Sequence, residues 1–587
     1  MKRQWCRRAG ISVAAVTLLV VGLPAIAASA ADPAASSAHH GQGKRPAPTD
    51  PSGRPAPRIA PHTAAPATRP NVPNELLAKT LFDDDANAQE PAVSALCQDY
   101  VGQPSPYPPI TPNVDVIHDD TVVEVGSQLG CDSAQNETTI ATNPYNPKNL
   151  VAGSNDYRVF NTREQRNDSS GWAYTSFDSG KTWRNVQLPH LTFQTGATGA
   201  LSDMDSAGDP AIAFGPLNTV YYANIAFSRL NGGSAVTLST SHDGGRTFGE
   251  PVIIALDGAD ANGNPVDTPN FNDKEWVGAD PLTGTVYVSW TQFNATESPI
   301  MVRRSTDFGR TFAPAVQVTP NTTNFAGGIT SFSSGSIPQV GNGGTLYIAY
   351  EDSVCATLDC DSPNDHDAVV VATSKNHGRT FTNKEVALDF DFPTNEDAGT
   401  AALTGLNFRI NSFPQMAYDR VTGKLWITWA DDRNGTYDGF ESVKTNGDNF
   451  VVSSSDGVHW SGLTKVGTSA DEVFPAIAAV AGRVAVTSYT RTYDPAGINL
   501  DYAMWTGRGN ALGPIHRVTT VSQNPNVQFV GIGLESGNVL QGEFIGDYSA
   551  VAMGLDFKVH PCWTDFRGNP TLNTPNQDVD TQSLSAF

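Results

Sequence analysis

Short runs of alternating apolar and polar residues recur along most of this chain, and each is followed by a second run after a turn rich in Asn, Asp and Gly. Alternation with a period of two predicts half-buried β-strands, and two runs joined by a polar turn predict a β-hairpin. Seven hairpins follow one another at intervals of about 60 to 76 residues, with first strands that begin at Glu137, Asp209, Lys274, Ile337, Phe413, Phe474 and Tyr548. The pattern therefore predicts an all-β chain with very little helix.

The spacing of the hairpins leaves room for two more strands in each interval. Four antiparallel strands per repeat form one blade of a β-propeller, and arrangement around an axis protects the sheet edges. We predict seven four-stranded blades over residues 111–587, with six blades as the alternative. The last repeat is one outer strand short, and residues 114–125 alternate well enough to supply that strand and close the ring.

A second repeat of the form Ser-x-Asp-x-Gly-x-Thr-Trp/Phe, termed the Asp-box below, follows five of the hairpins. Its Ser and Asp side chains can bond the backbone of a tight turn, its Gly suits a positive φ, and its aromatic residue can pack between sheets. We expect a structural role between the third and fourth strands, on the face opposite the starts of the inner strands. The copies are residues 176–183, 241–248, 305–312, 374–381, where Asn376 replaces Asp, and 454–460, which is one residue shorter.

The first 110 residues differ in composition from the rest. Residues 1–30 contain basic residues, an apolar run and a small-residue site, which is typical of a signal peptide that is cleaved on export. Residues 31–110 form a Pro- and Ala-rich linker and N-terminal arm, and most of this stretch has too few apolar residues to bury a core. We predict a disordered tether on a secreted, extracellular protein with no membrane span.

Charge and cysteine content narrow the expected partners. The net charge is −23, and loss of the four positive charges of the signal peptide leaves −27, so nucleic acid is not expected as a partner. We expect a monomer. In an oxidising compartment Cys355 is expected to pair with Cys360 and Cys97 with Cys131, while Cys562 lies in an apolar strand and is expected to be a free, buried thiol.

Repeated Asp-boxes in a secreted propeller resemble the sialidase-like family, also called BNR-repeat proteins, from about residue 130 to the C-terminus. The resemblance implies an exo-glycosidase in which three arginines bind the sialic acid carboxylate, a Tyr paired with a Glu is the nucleophile, and an Asp is the acid/base. Family sialidases have six blades and an Arg-Ile-Pro motif at the start of the first. Here that blade opens with residues 136–140 (NETTI), and the nearest match to the motif is residues 407–411 (NFRIN), around Arg409.

The candidate catalytic residues lie where strand one of a blade begins. In a propeller the start of strand one and the end of strand two lie on the same face near the axis, so polar side chains at these places are expected to converge. Hydrolysis of a glycoside needs an acid and a nucleophile or base. The candidates are Tyr548 as nucleophile, Asp547 and Glu472 as its helpers, Asp273 as a further acid, and Glu137 and Asp209 as alternative acids.

The candidate substrate-binding residues are arginines, because a planar guanidinium matches a carboxylate. Two strand-two ends have the form Trp-x-Asp-x-Arg and a third is partial, which gives Arg433, Arg567 and Arg491. Arg409 is added from the resemblance. The alternative interpretation is that each Asp and Arg pair ties adjacent blades together.

One loop is a candidate calcium site. Asp359, Asp361, Asp365 and Asp367 alternate with other residues, and hard carboxylate oxygens at such spacing suit a structural Ca²⁺. The alternative is a solvated acidic loop. No other cofactor is expected, because zinc, nucleotide and serine-hydrolase motifs do not stand out.

The leading functional hypothesis is a sialidase-like glycoside hydrolase, an exo-α-sialidase or related exo-glycosidase, that acts on an extracellular glycan or glycoconjugate. A second hypothesis is a non-catalytic propeller that binds glycans or a protein, which the missing Arg-Ile-Pro motif favours. A third is a polysaccharide lyase, which needs a Tyr or His base. The fold alone does not separate them.

Overall fold

The computed structural model describes residues 113–117, 134–163, 166–294, 297–320, 330–355, 366–392, 394–395, 400–406, 408–438, 441–525, 544–566 and 577–587. Within these ranges the regular structure consists of β-strands and three short 3₁₀ turns, which confirms the all-β prediction. None of the described helical turns is long or apolar enough to span a bilayer. The predicted signal peptide and the linker of residues 31–110 lie outside the described residues.

Seven four-stranded antiparallel sheets form the blades of a propeller. This confirms the prediction of seven blades over the alternative of six. Short strand β1 is Val114–Asp115. Blade 1 has strands β2 (Gln135–Thr142), β3 (Leu150–Asn161), β4 (Arg166–Ser176) and β5 (Arg184–Gln187). Blade 2 has β6 (Ser206–Phe214), β7 (Val220–Phe227), β8 (Ser234–Ser241) and β9 (Val252–Asp257). Blade 3 has β10 (Phe271–Ala279), β11 (Val286–Phe293), β12 (Ile300–Ser305) and β13 (Val316–Gln317).

The remaining blades follow the same order, with two small hairpins inserted. Blade 4 has β14 (Thr330–Val340), β15 (Leu346–Cys355), β16 (His366–Ser374) and β17 (Thr382–Asp389), followed by hairpin β18 (Thr394–Asn395) and β19 (Thr400–Ala401). Blade 5 has β20 (Gln415–Asp419), β21 (Lys424–Asp431), β24 (Asp448–Ser454) and β25 (Thr464–Val466), interrupted by hairpin β22 (Thr436–Asp438) and β23 (Glu441–Lys444). Blade 6 has β26 (Glu472–Val480), β27 (Arg483–Thr490), β28 (Asp501–Arg508) and the short β29 (Ala511–Leu512) and β30 (His516–Arg517).

Blade 7 closes the ring with a strand from the other end of the chain. It contains β31 (Ala550–Met553), β32 (Lys558–Asp565) and β33 (Asp578–Thr581), and β34 (Leu584–Ser585) pairs with the beginning of β32. Its outer strand is β1, with Val114 opposite Thr581 and the Val116 amide donating to the Val579 carbonyl at 3.0 Å. The prediction that this segment completes the last blade is confirmed for Val114 and Asp115. Residues 118–125 lie outside the described residues.

Apolar side chains of neighbouring sheets form the core between blades. One cluster joins Ile140 and Trp172 of blade 1 to Val579 of blade 7, and all three are buried. Because each blade is covered on both faces, inner strands such as β7 are buried along their whole length.

Cys562 is a free, buried thiol, as predicted. The predicted disulfides involve Cys97, Cys131 and Cys360, which lie outside the described residues.

The Asp-boxes form tight turns between the third and fourth strands, on the face away from the strand-one starts. In blade 1 the Ser176 hydroxyl accepts from the Gly180 amide at 2.9 Å, and Asp178 accepts from the Lys181 and Thr182 amides at 3.0 Å. Gly180 has φ of +80°. Trp183 is buried among the side chains between blades. These contacts support the turn-forming role expected for the box.

Candidate functional site

The inner strands of five blades share a bulge close to the propeller axis. In blades 1, 2 and 3 the pairing register shifts at one place, and the residue there has a left-handed backbone: Glu137 (φ 54°), Asp209 (φ 50°) and Lys274 (φ 49°). Blades 4 and 6 shift at Gly335 and Phe474. Left-handed backbone is uncommon for residues other than glycine, so its recurrence marks a position that the tertiary structure imposes.

Side chains from these bulges meet in a buried ionic network. The Lys274 ammonium lies 2.7 Å from Asp209 Oδ2, 2.7 Å from Asp547 Oδ2 and 3.7 Å from Glu137 Oε1. Arg409 Nη2 lies 3.0 Å from Asp547 Oδ2, and its Nε donates to Oδ1 at 3.1 Å. We call these five residues the axial cluster. Each is at most 5% exposed.

Two asparagines complete the hydrogen bonding of the axial cluster. Asn155 Nδ2 donates to Glu137 Oε2 at 3.1 Å, and its Oδ1 accepts from the Asp209 amide at 2.6 Å. Asn411 Nδ2 donates to the Asp547 carbonyl at 3.0 Å. Asn155 was not among the residues predicted from the sequence. The available signal was its position near the end of the predicted second strand of blade 1, one of the two places where polar groups converge.

Burial sets the protonation of the axial cluster. It raises the pKa of the Glu137 carboxyl, and the neighbouring Asp209 carboxylate raises it further, while the Lys274 ammonium acts in the opposite direction. Burial lowers the pKa of Lys274, but the attraction of Asp209 and Asp547 outweighs it and the net pKa is raised. Lys274 and Arg409 therefore face the carboxyl groups of Asp209 and Asp547, and Glu137 lies beside them with a raised pKa.

Tyr548 lies next to the axial cluster. Its hydroxyl donates to the Pro210 carbonyl at 3.3 Å, and its ring packs edge-on against Trp276 with centroids 5.2 Å apart. Burial raises the pKa of the phenol, and the charges of Glu137 and Asp209 add to this, so the phenol is neutral.

The other two candidate acids have different surroundings. Asp273 precedes Lys274 and accepts from the Lys274 amide at 2.7 Å. Glu472 accepts from the hydroxyls of Thr468 at 2.7 Å and Thr490 at 3.0 Å. Burial raises the pKa of Glu472 to about 7. Among the described residues no hydrogen bond or ion pair joins Glu472 to the axial cluster.

The candidate arginines outside the axial cluster bind aspartates of their own blade. Arg433 Nε donates to Asp431 Oδ1 at 2.9 Å, and its Nη2 donates to the Leu388 carbonyl of blade 4 at 2.8 Å. Arg491 Nη1 lies 3.1 Å from Asp471 Oδ2. These contacts agree with the interpretation that Asp and Arg pairs tie blades together. Arg567 lies outside the described residues. Of the predicted site residues, the structure brings together Arg409, Asp547, Tyr548 and the alternative acids Glu137 and Asp209.

Glu275 is a buried carboxylate that the sequence analysis did not select. It is 1% exposed, and neither carboxylate oxygen has a hydrogen-bond partner among the residues that the structure describes. Burial and the charge of Asp209 raise its pKa, which favours the neutral acid. The only sequence signal was a charged residue at a strand position where other blades have Thr, Ser or Pro.

The predicted calcium loop is described only at its end. Asp367 accepts from the Ser353 hydroxyl at 2.7 Å. Asp359, Asp361 and Asp365 lie outside the described residues. In the described part of the chain, His, Cys, Asp and Glu side chains form no group of three or more arranged to hold a metal ion.

No protein-family profile and no curated protein matches the chain. Solved structures do match. An α-L-arabinofuranosidase of Fusarium graminearum is 13% identical with a TM-score of 0.37, covering 68% of this chain and 97% of that one. Trypanosoma rangeli sialidase is 12% identical with a TM-score of 0.34, covering 70% and 57%. A mutant sialidase of Streptococcus pneumoniae is 12% identical with a TM-score of 0.36, covering 80% and 72%. At these values the similarity carries no inference about activity, and membership of the sialidase-like family stays a prediction.

Proposed function

We propose that the protein is a secreted, sialidase-like glycoside hydrolase that acts on an extracellular glycan at the axial cluster and Tyr548. One observation carries the proposal. A buried acid with a raised pKa, two further carboxyl groups and two cations, contributed by four blades and the segment before blade 5, each lie within 3.7 Å of an opposite charge near the axis, and Tyr548 lies beside them. These are the group types that hydrolysis of an acidic glycoside requires.

Each group has a role that its surroundings support. Glu137, whose pKa is raised by burial, is suited to give a proton to the leaving oxygen. Tyr548 is the nucleophile, and Asp209 takes its proton. Lys274 and Arg409 supply positive charge that matches a substrate carboxylate. The glycosyl–tyrosine bond formed in this step is then hydrolysed by water, which restores the phenol.

The test is turnover of a panel of 4-methylumbelliferyl glycosides, beginning with the sialoside, by the purified chain. We expect release of 4-methylumbelliferone from at least one acidic glycoside, and a loss of about 100-fold or more in kcat for Tyr548→Phe. The matched control is Tyr145→Phe, on the opposite face, which should keep wild-type kcat. Equal melting temperatures of the two variants would exclude misfolding.

A second candidate function is a non-catalytic glycan-binding propeller. The observation that favours it is the burial of the axial cluster, whose cations are already paired with carboxylates. No turnover of any glycoside, together with glycan binding measured by isothermal titration calorimetry, would replace the hydrolase proposal with this one.

A further inference from the structure

The turns between strands one and two form a connected ring around the axis on the Asp-box face. Asn143 Nδ2 of blade 1 donates to Asn218 Oδ1 of blade 2 at 2.9 Å. Arg420 Nη2 of blade 5 lies 3.1 Å from Asp280 Oδ1 of blade 3. The Tyr145 hydroxyl of blade 1 donates to the Pro281 carbonyl in the turn of blade 3. The turns are therefore neighbours on one surface.

The tips of these turns are apolar and exposed. Leu217 is 79% exposed, Leu282 70%, Val421 63% and Leu555 56%. The first three are the most exposed large apolar side chains among the described residues. We call these four residues and Tyr145 the apolar tips. Scattered single apolar residues are normal on a surface, but several on neighbouring turns of one face form a patch that indicates an interaction site.

Turn geometry does not explain the leucine in blade 2. Leu217 and Asn218 have φ of +59° and +60°, and the Thr219 amide donates to the Pro216 carbonyl at 3.1 Å. These are features of a type I′ turn, whose first central position favours Asn, Asp or Gly. A leucine in this position is strained and gains no burial, so its presence points to a function outside the fold.

Basic side chains surround the apolar tips. Lys181, Arg246, Arg310 and Arg379 occupy the same place in four Asp-boxes, directly after the glycine, and all are exposed. None forms an ion pair within the described part of the chain. The Asp-boxes contact the turns directly. The Gly244 amide, in the Asp-box of blade 2, donates to the Asn218 carbonyl at 3.0 Å. Three of the four follow the aspartate of their own box by three residues, and that aspartate accepts hydrogen bonds from the backbone of its turn.

We propose that the Asp-box face docks on the surface of an anionic lipid bilayer. The apolar tips insert at the boundary between headgroups and acyl chains, and the four basic side chains contact the anionic headgroups. Aliphatic tips favour lipid over an acidic polysaccharide, because sugar rings stack on aromatic rings, not on leucine or valine. Docking turns the starts of the strands, and with them the axial cluster, away from the bilayer. The inference is independent of the proposed hydrolase activity.

The experiment is flotation of the purified full chain with vesicles. Neutral vesicles contain phosphatidylcholine alone, and anionic vesicles contain phosphatidylcholine and phosphatidylglycerol at a 3:1 ratio. We expect flotation with anionic vesicles only, and release as NaCl is raised, because screening weakens the attraction of Lys and Arg for the surface. Absence of flotation with anionic vesicles would overturn the proposal.

Two pairs of variants locate the contact. Leu217→Ser combined with Leu282→Ser should reduce flotation strongly, whereas Leu230→Ser, an exposed leucine on the opposite face, should leave it unchanged. Arg310→Glu should lower the partition coefficient about tenfold, and Lys444→Glu on the opposite face should not. Equal loss in both members of a pair would place the contact elsewhere and refute the proposal.

Two other occupants of the face are outcomes of the same test. If wild-type protein is dimeric by light scattering and the double Leu→Ser variant is monomeric, the face is an interface between copies and the proposal is wrong. If a soluble sulfated polysaccharide binds, and Arg310→Glu weakens this binding while the double Leu→Ser variant does not, the partner is a polysaccharide and the proposal is also wrong.

Discussion

Carboxyl groups on the two faces of the propeller have pKa values shifted in opposite directions. On the Asp-box face the side chain of Asp243 is part-exposed. Burial acts against its charge, but hydrogen bonds from Thr247 and Ser241 outweigh this and lower its pKa. On the face where strand one of each blade begins, burial raises the pKa of Glu137 and Glu472. Local turns stabilise one set of carboxylates, and the closure of the ring buries the other.

The difference separates carboxylates that stabilise the fold from carboxylates whose burial costs stability. An Asp-box aspartate satisfies backbone amides of its own turn, so its charge helps the blade to form. A carboxylate at the axis must be compensated by side chains of other blades, and it is costly whenever its partner is missing. Groups that are expensive to bury are candidates for function.

The largest expected effect is the removal of the central cation of the axial cluster. Lys274→Met leaves Asp209 buried without a counter-charge and leaves Asp547 with Arg409 as its only cation among the described residues. We expect a loss of about 3 to 5 kcal/mol in the free energy of unfolding, measured in urea. Arg310→Met on the Asp-box face is the matched control and should change stability by about 0.5 kcal/mol or less. Similar small losses in both variants would contradict the contrast between the faces.

A smaller effect, dependent on pH, is expected at Glu472. Its folded pKa of about 7 lies above the ordinary value of 4.5, so its contribution to stability is full below pH 4.5 and is lost as pH rises through 7. Glu472→Gln mimics the protonated acid. Relative to the wild type, the variant should therefore gain about 3 kcal/mol between pH 4.5 and pH 8.5.

Urea unfolding at both pH values measures this gain. Asp267→Asn, at an exposed carboxylate that forms no ion pair among the described residues, is the control and should keep the wild-type pH dependence. A constant difference between Glu472→Gln and the wild type at all pH values would show that the Glu472 carboxyl titrates normally.

The smallest effect is expected in a single Asp-box. Asp243→Ala removes the acceptor for the Arg246 and Thr247 amides and the Thr247 hydroxyl, which should cost about 1 to 2 kcal/mol. Asp243→Asn should cost about half as much or less, because in blade 4 Asn376 Oδ1 accepts from the Arg379 and Thr380 amides and its Nδ2 donates to the Thr380 hydroxyl. Thermal unfolding measures both, and equal losses for Ala and Asn would mean that the charge, not the hydrogen-bonding geometry, stabilises the turn.

The candidate site was predictable in part. Tyr548, Asp547 and Arg409 were selected from the sequence and lie together in the structure. Glu137 and Asp209 were named only as alternative acids and Lys274 was not selected, since nothing local distinguishes them from other polar residues at strand starts. Arg433 and Arg491 were grouped with the site because of their motifs, but they contact Asp431 and Asp471, two and twenty residues away in sequence.

The sequence by itself determined the strands, the number of blades, the Asp-box turns and the strand that closes the ring, because alternation and turn chemistry act over a few residues and repeat. Only the tertiary structure decided which charges meet at the axis and which turn tips share a surface. Both depend on the rotation from one blade to the next and on the bulges at Glu137, Asp209 and Lys274. Those backbone conformations are unfavourable for the residues concerned, so local preference alone would not have selected them.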